Sequence, residues 1–202
     1  MFRTVLLVAM LTPTVGCRSL ALFWPEQTRT VPAEYPYLTD KSLVILVRAP
    51  DEVLFEHPHV QWELADHVRV ALEGKVRGVS IVDPRKVFDV QRSDQTWQTQ
   101  DPARLGRQFQ AERLLEIDLL QYTTRDPDSP FLLRGHILAA VRVYNTEYLD
   151  AQPAYRTEVR VVYPPDGPGR WGSDERSIRA ATMDAFAEDL AGRFYDRKVV
   201  VK

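Results

Sequence analysis

Three groups of residues in this 202-residue chain combine types and spacings that could do chemistry. Glu116 and Asp118 stand two apart in an alternating run, so they share one face of an extended strand. Arg134, His136 and Arg142 hold polar positions of the next run, where a neighbouring strand brings them within reach. Two carboxylates beside an imidazole can serve as acid and base in a hydrolysis. The same residues on a half-solvated sheet make ordinary cross-strand ion pairs, and that is the reading carried forward. His59, Glu63 and His67 fall four apart and line one helix face, a donor set that Zn²⁺ accepts. No H-E-x-x-H accompanies them and His57 adds little, so they read as the polar border of the stripe that begins at Val60, and no metal is expected. Gly167-Pro-Gly-Arg-Trp-Gly172 fits G-x-G-x-x-G, yet a dinucleotide loop needs a later strand ending in an acidic residue, whereas only one helical pattern follows. Pro168 also removes an N–H that a phosphate would use. With no nucleophile elbow and no P-loop, neither an enzyme nor a cofactor is expected.

The elements that must position these residues can be read from periodicity. Arg113–Arg125, Phe131–Tyr144 and Tyr155–Tyr163 alternate apolar and polar, and Asp126-Pro-Asp-Ser-Pro130 suits a turn between the first two, so the three form an antiparallel meander. Ser42–Arg48 is continuously apolar, as in a central strand covered on both faces. Pro58 suits the first turn of a helix carrying Val60, Leu64, Val68 and Leu72 and ending before Gly74; Val79–Val82 is the next strand. Asp83-Pro84 and Asp101-Pro102 open two short helices, separated by a polar stretch, Gln91–Gln100. Ser173 caps a last helix whose buried stripe is Ile178, Thr182, Ala185, Phe186, Leu190 and Phe194. The fold class is α/β (α+β), a single sandwich domain over residues 41–202 with a mixed sheet of about five strands packed with helices. With 45% hydrophobic and 27% charged residues, one compact core is affordable. The 26 basic and 28 acidic residues are interspersed, which argues against a nucleic-acid partner.

Arg3, the short apolar run Val5–Leu11 and small residues before Cys17 read as an export signal over residues 1–16, too short to span a bilayer. Val15-Gly16-Cys17 resembles the lipobox of bacterial lipoproteins, with Thr14 where that family has Leu. The resemblance implies an acylated Cys17 as the membrane anchor; an ordinary secretory signal, giving a soluble protein, is the alternative. Cys17 is the only cysteine, so no internal disulfide can form. Residues 17–40, with Pro25, Pro32 and Pro36, form the expected tether, whose Trp24, Tyr35 and Tyr37 either meet the membrane interface or staple it to the domain.

The order of elements and the phrase Val79-Ser-Ile-Val-Asp-Pro84 resemble, over about residues 42–196, a domain shared by several periplasmic proteins. These are the curli-secretion-type lipoproteins, the lipoprotein activators of penicillin-binding proteins and the N-terminal domain of the Tol-system propeller protein. The resemblance implies a non-enzymatic envelope protein that binds another envelope protein or its own copies. The alternative from another class is a periplasmic lipid or small-ligand carrier, using a groove by Leu132, Leu138 and Ala140.

Overall fold

The computed structural model describes residues 28–94, 96–126, 128–148, 152–167, 169–171 and 174–200. The described residues divide into two units, Thr28–Thr30 with Lys198–Val200, and Val31–Arg197. Strands β1 (Thr28–Val31) and β7 (Arg197–Val200) pair as a two-stranded sheet.

The larger unit is built on a five-stranded sheet of β2 (Ser42–Arg48), β3 (Ser80–Ile81), β4 (Arg113–Asp126), β5 (Ser129–Asn145) and β6 (Tyr155–Tyr163), in the order β3-β2-β4-β5-β6. β2 runs parallel to both β3 and β4, while β4, β5 and β6 form the expected antiparallel meander. The unbroken apolar run of β2 has the cause its sequence implied. Leu43, Ile45 and Val47 enter a core on one face, and Val44 and Leu46 enter a smaller core on the other.

The first core lies beneath α2 (Val60–Lys75) and α5 (Glu175–Ala191), with Leu64, Leu72, Phe186 and Leu190 fully buried. Each such side chain contributes about 1.5–3 kcal/mol. The second core is covered by α3 (Pro84–Ser93), the 3₁₀ turn Trp97–Thr99 and α4 (Pro102–Gln108). Asp83 and Asp101 cap α3 and α4, accepting from the backbone N–H of Arg85 at 2.9 Å and Arg104 at 3.0 Å. A bulge lies between Leu119 and Gln121, leaving Leu120 exposed and turning Tyr122 and Thr124 inward.

Several expectations need correction. α2 begins at Val60 with His59 at its N-cap, not at Pro58, and it runs through Gly74 to Lys75. A Cβ on Gly74 would meet nothing within 4 Å, so that glycine is not a terminating device. A further helix, α1 (Asp51–Glu56), precedes it and buries no residue. The strand Val79–Val82 shortens to Ser80–Ile81. α5 is capped by Asp174, whose carboxylate accepts from the Arg176 N–H; Ser173 lies outside the described residues. Ala185 is half-buried, and Met183 and Ala187 take core positions instead. Among the described residues no helix is long and apolar enough to cross a membrane.

Packing reaches further toward the N-terminus than the expected boundary at residue 41. Tyr35 and Leu38 are buried in the first core, and the rings of Tyr35 and Phe194 meet edge to face at 6.4 Å. The end of the expected tether therefore belongs to the domain, while residues 17–27 lie outside the described residues. The backbone N–H groups of Glu34 and Tyr35 both donate to the Arg193 carbonyl, at 2.8 and 3.0 Å, and Ala33 N–H donates to Asp196 Oδ1 at 2.9 Å. The Glu34 carboxylate accepts from the Arg193 guanidinium and the Tyr155 hydroxyl. Burial raises the Glu34 pKa, but the hydrogen bonds from Tyr155 and Arg193 outweigh it and hold the carboxyl below its ordinary 4.5. A carboxyl depressed on folding adds stability above its unfolded pKa, and that stability is lost as pH falls through the folded value. Glu34→Gln is therefore expected to flatten the acid limb of a plot of urea midpoint against pH. An acid limb identical to wild type would remove Glu34 as its cause.

Candidate functional site

Glu116 lies on β4 opposite Arg142 of β5, beneath the helices of the second core, and is 3% exposed. A buried carboxylate requires partners, and three surround it. Arg48 Nε donates to Oε1 at 2.6 Å; Arg142 Nη1 and the Tyr144 hydroxyl donate to Oε2 at 3.0 and 3.2 Å. The Glu116 hydrogen bond, with its charge, raises the Arg142 pKa above its ordinary value. Asp118 is only half-buried and meets Arg142 at 3.6 Å.

His136 does not join these acids. It pairs with Thr123 and Val162 on the flanking strands, while Asp118 pairs with Ala140. Four residues along β5 separate Ala140 from His136, roughly 13 Å at the rise of a strand. Burial, then the nearby Arg134, lowers the His136 pKa, and Arg134 itself reaches toward Asp126 at 3.7 Å. The expected pairing of strand-face acids with Arg142 is thus present, and the catalytic grouping of Glu116, Asp118 and His136 is not.

The helical row is held by α5. Glu63 accepts from Arg179 at 3.5 Å, and His67 Nδ1 lies 2.6 Å from Asp184 Oδ1. His59 instead sits at the N-cap of α2, with its ring 6.1 Å from that of Phe88. In the glycine-rich loop, a Cβ on Gly169 would lie 2.8 Å from the Leu133 carbonyl, and Arg170 exchanges backbone hydrogen bonds with Leu133. Close approach to β5 accounts for that glycine. Pro168 and Gly172 lie outside the described residues, as does Cys17.

A cleft that sequence reasoning missed opens at the carboxyl end of β2. The chain leaves β2 toward α2 on one face of the sheet and leaves the parallel neighbour β3 toward α3 on the other. Where successive connections part in this way, a crevice forms beyond the strand ends. Here it has a volume of about 420 Å³ and is walled by Leu54, His59, Phe88, Arg92 and Trp97. Gln61 and Gln91 also line it, and their side-chain amides both donate to the Val47 carbonyl, at 3.0 and 2.9 Å. Arg48 connects this wall to the buried acid. Its guanidinium donates to the Gln98 carbonyl at 2.9 Å and lies 4.9 Å from the Trp97 ring centroid. The one signal in the sequence was Trp97, an aromatic residue inside the polar stretch Gln91–Gln100.

Leu138 and Ala140 are elsewhere, half-buried on the side of β5 that the α3–α4 layer leaves open. Leu132 packs near Gly169.

No known protein family matches the chain, and no curated protein does. Solved structures similar to it include the PelC dodecamer from Paraburkholderia phytofirmans, at 10% identity over 83% of this chain and 98% of that one, with a TM-score of 0.46. Lipoprotein GNA1162 from Neisseria meningitidis shows 13% identity over 74% of this chain and 97% of that one, with a TM-score of 0.46. A minor lipoprotein from Acinetobacter baumannii shows 14% identity over 76% and 87%, with a TM-score of 0.31. Bacterial lipoproteins thus stand among the similar structures.

Proposed function

We propose that this chain is a non-enzymatic, lipid-anchored protein of the bacterial cell envelope, and that it works by holding another envelope component. The observation that carries this reading is the fate of Glu116. The acid best placed to do chemistry is buried and fully engaged by Arg48, Arg142 and Tyr144, with His136 well removed. What the sheet leaves accessible is contact surface. Beyond the α3–α4 layer, Leu120, Arg156, Glu158 and Arg160 are exposed. The resemblance of the element order to envelope-binding domains supports the same reading, and Val15-Gly16-Cys17 supports the anchor. Two acyl chains on one cysteine are enough for stable membrane attachment.

The test is fractionation of cells expressing the wild-type chain and Cys17→Ser, followed by cross-linking in intact cells. Cys17→Ser is expected to move the protein to the soluble fraction and to lose the envelope protein captured with wild type. Unchanged membrane retention would sink the anchor. A second reading, a small-ligand carrier, is favoured by the cleft at the end of β2, lined by Phe88, Trp97 and the glutamines Gln61 and Gln91. A small molecule retained in native mass spectra of the purified chain, and lost with Trp97→Ala, would favour that reading over the first.

A further inference from the structure

We propose that two copies of this chain join edge to edge through β6, as an antiparallel pair centred on Val159. This deepens the binding reading above by naming one partner and the surface it uses. β6 is the last strand of its sheet and is nine residues long. Among the described residues no strand pairs with its outer side. A long free edge is a template for another strand, and natural edges are usually blunted by charge, proline or a bulge. Here proline stands at both ends and not within. Pro153 precedes the strand, and Pro164 and Pro165 follow it, so a pairing partner is offered the nine residues from Tyr155 to Tyr163 and little more.

The charges on this edge choose the register. Arg156, Glu158 and Arg160 alternate in sign on the exposed face. In a two-fold pair each residue of one copy faces a fixed residue of the other, and directly opposed side chains share a face. Centring the pair on Val159 overlaps the whole strand and sets Glu158 opposite Arg160 twice. On the inner face it sets Val159 against its own copy, Thr157 against Val161, and Tyr155 against Tyr163. Moving the centre by one residue to Glu158 sets Glu158 against itself and Arg156 against Arg160, which repels. Moving it to Arg160 opposes two arginines and shortens the overlap. The sequence of β6 therefore favours the one two-fold register that also uses its full length, joining two five-stranded sheets into one of ten.

The test uses the full chain, purified in detergent, and sedimentation velocity across a concentration series. Wild type is expected to dimerise. Glu158→Arg and Arg160→Glu each convert two opposite-charge pairs into like-charge pairs and are expected to weaken the dimer at least about tenfold. The double swap Glu158→Arg/Arg160→Glu restores the pairs and is expected to restore the dimer. Glu158 and Arg160 are both exposed in the single copy, so thermal unfolding of the variants should match wild type. A wild-type chain that stays monomeric overturns the proposal, as does a dimer indifferent to both single swaps, or a double swap that remains monomeric. A monomer that still captures another envelope protein in cells overturns the pairing alone and leaves the binding reading standing.

Discussion

Replacing Glu116 with Gln is expected to lower the unfolding free energy by about 2–3 kcal/mol, somewhat less than the roughly 3–5 kcal/mol of breaking a fully buried ion pair. The change is isosteric, so what it removes is charge. Arg48 and Arg142, with side chains 20% and 33% exposed, would keep their own charges without the carboxylate between them. Their partial exposure to solvent keeps the loss below the full value. Asp118→Asn is the comparison. The Arg142–Asp118 contact is longer, at 3.6 Å, and each side chain is one-third exposed, so its loss should fall below about 1 kcal/mol. Urea unfolding of the two variants against wild type, at matched slopes, measures both. If the two losses were equal and small, Glu116 would not be the keystone of the second core, and its burial would need another reason.

A second large effect is expected at Gly135→Ala. Gly135 is on β5 where α5 crosses it, and a Cβ built there would lie 1.8 Å from Thr182 Oγ1, 2.7 Å from its Cβ and 2.8 Å from its Cγ2. Thr182 is 1% exposed, and its hydroxyl donates to the Ile178 carbonyl one helical turn earlier, so it cannot swing outward without breaking that bond inside the core. α5 would have to lift from the sheet, at a loss of about 1–3 kcal/mol. Adding Thr182→Ala removes the Oγ1 and Cγ2 contacts but leaves the Cβ, so the double variant should recover part of the stability and not all of it. Thermal unfolding of the two variants reads this directly. Full tolerance of Gly135→Ala would mean that the helix can shift by the missing distance at no expense.

The strands of the meander were legible because each turns its alternate apolar residues to the first core. In Tyr155–Tyr163 the alternation holds as far as Val161, and the strand found has those very ends. β2 was legible for the opposite reason, an apolar run with no alternation. α1 was not, because six residues make too few turns for a period to show and none of them is buried. Glu116 was placed on the polar face, which is correct, yet its burial depends on α3 and α4 folding back over that face, a long-range event that no local pattern records. The cleft was missed for the same reason. Its walls come from separate stretches of chain around Leu54–Gln61, Phe88–Arg92 and Trp97–Gln98, brought together by the crossing of connections at β2. Tyr35 and Leu38 were read as parts of a tether because prolines surround them, although each has a place in the core.

The clasp of residues 33–35 on the end of α5 decides how load passes through the molecule. A pull from the N-terminal side of the chain meets first the pairing of β1 with β7 and then, at Ala33 and Glu34, the hydrogen bonds to Arg193, Asp196 and Tyr155. The tension is taken by the end of α5 and the start of β6, and the β2–β4 ladder beneath the cleft is spared. If Cys17 holds the bilayer, the ten residues 18–27 separate it from β1, which limits the leash to about 40 Å at full extension. The folded body would then patrol a layer next to the membrane and bear strain at a point remote from the cleft.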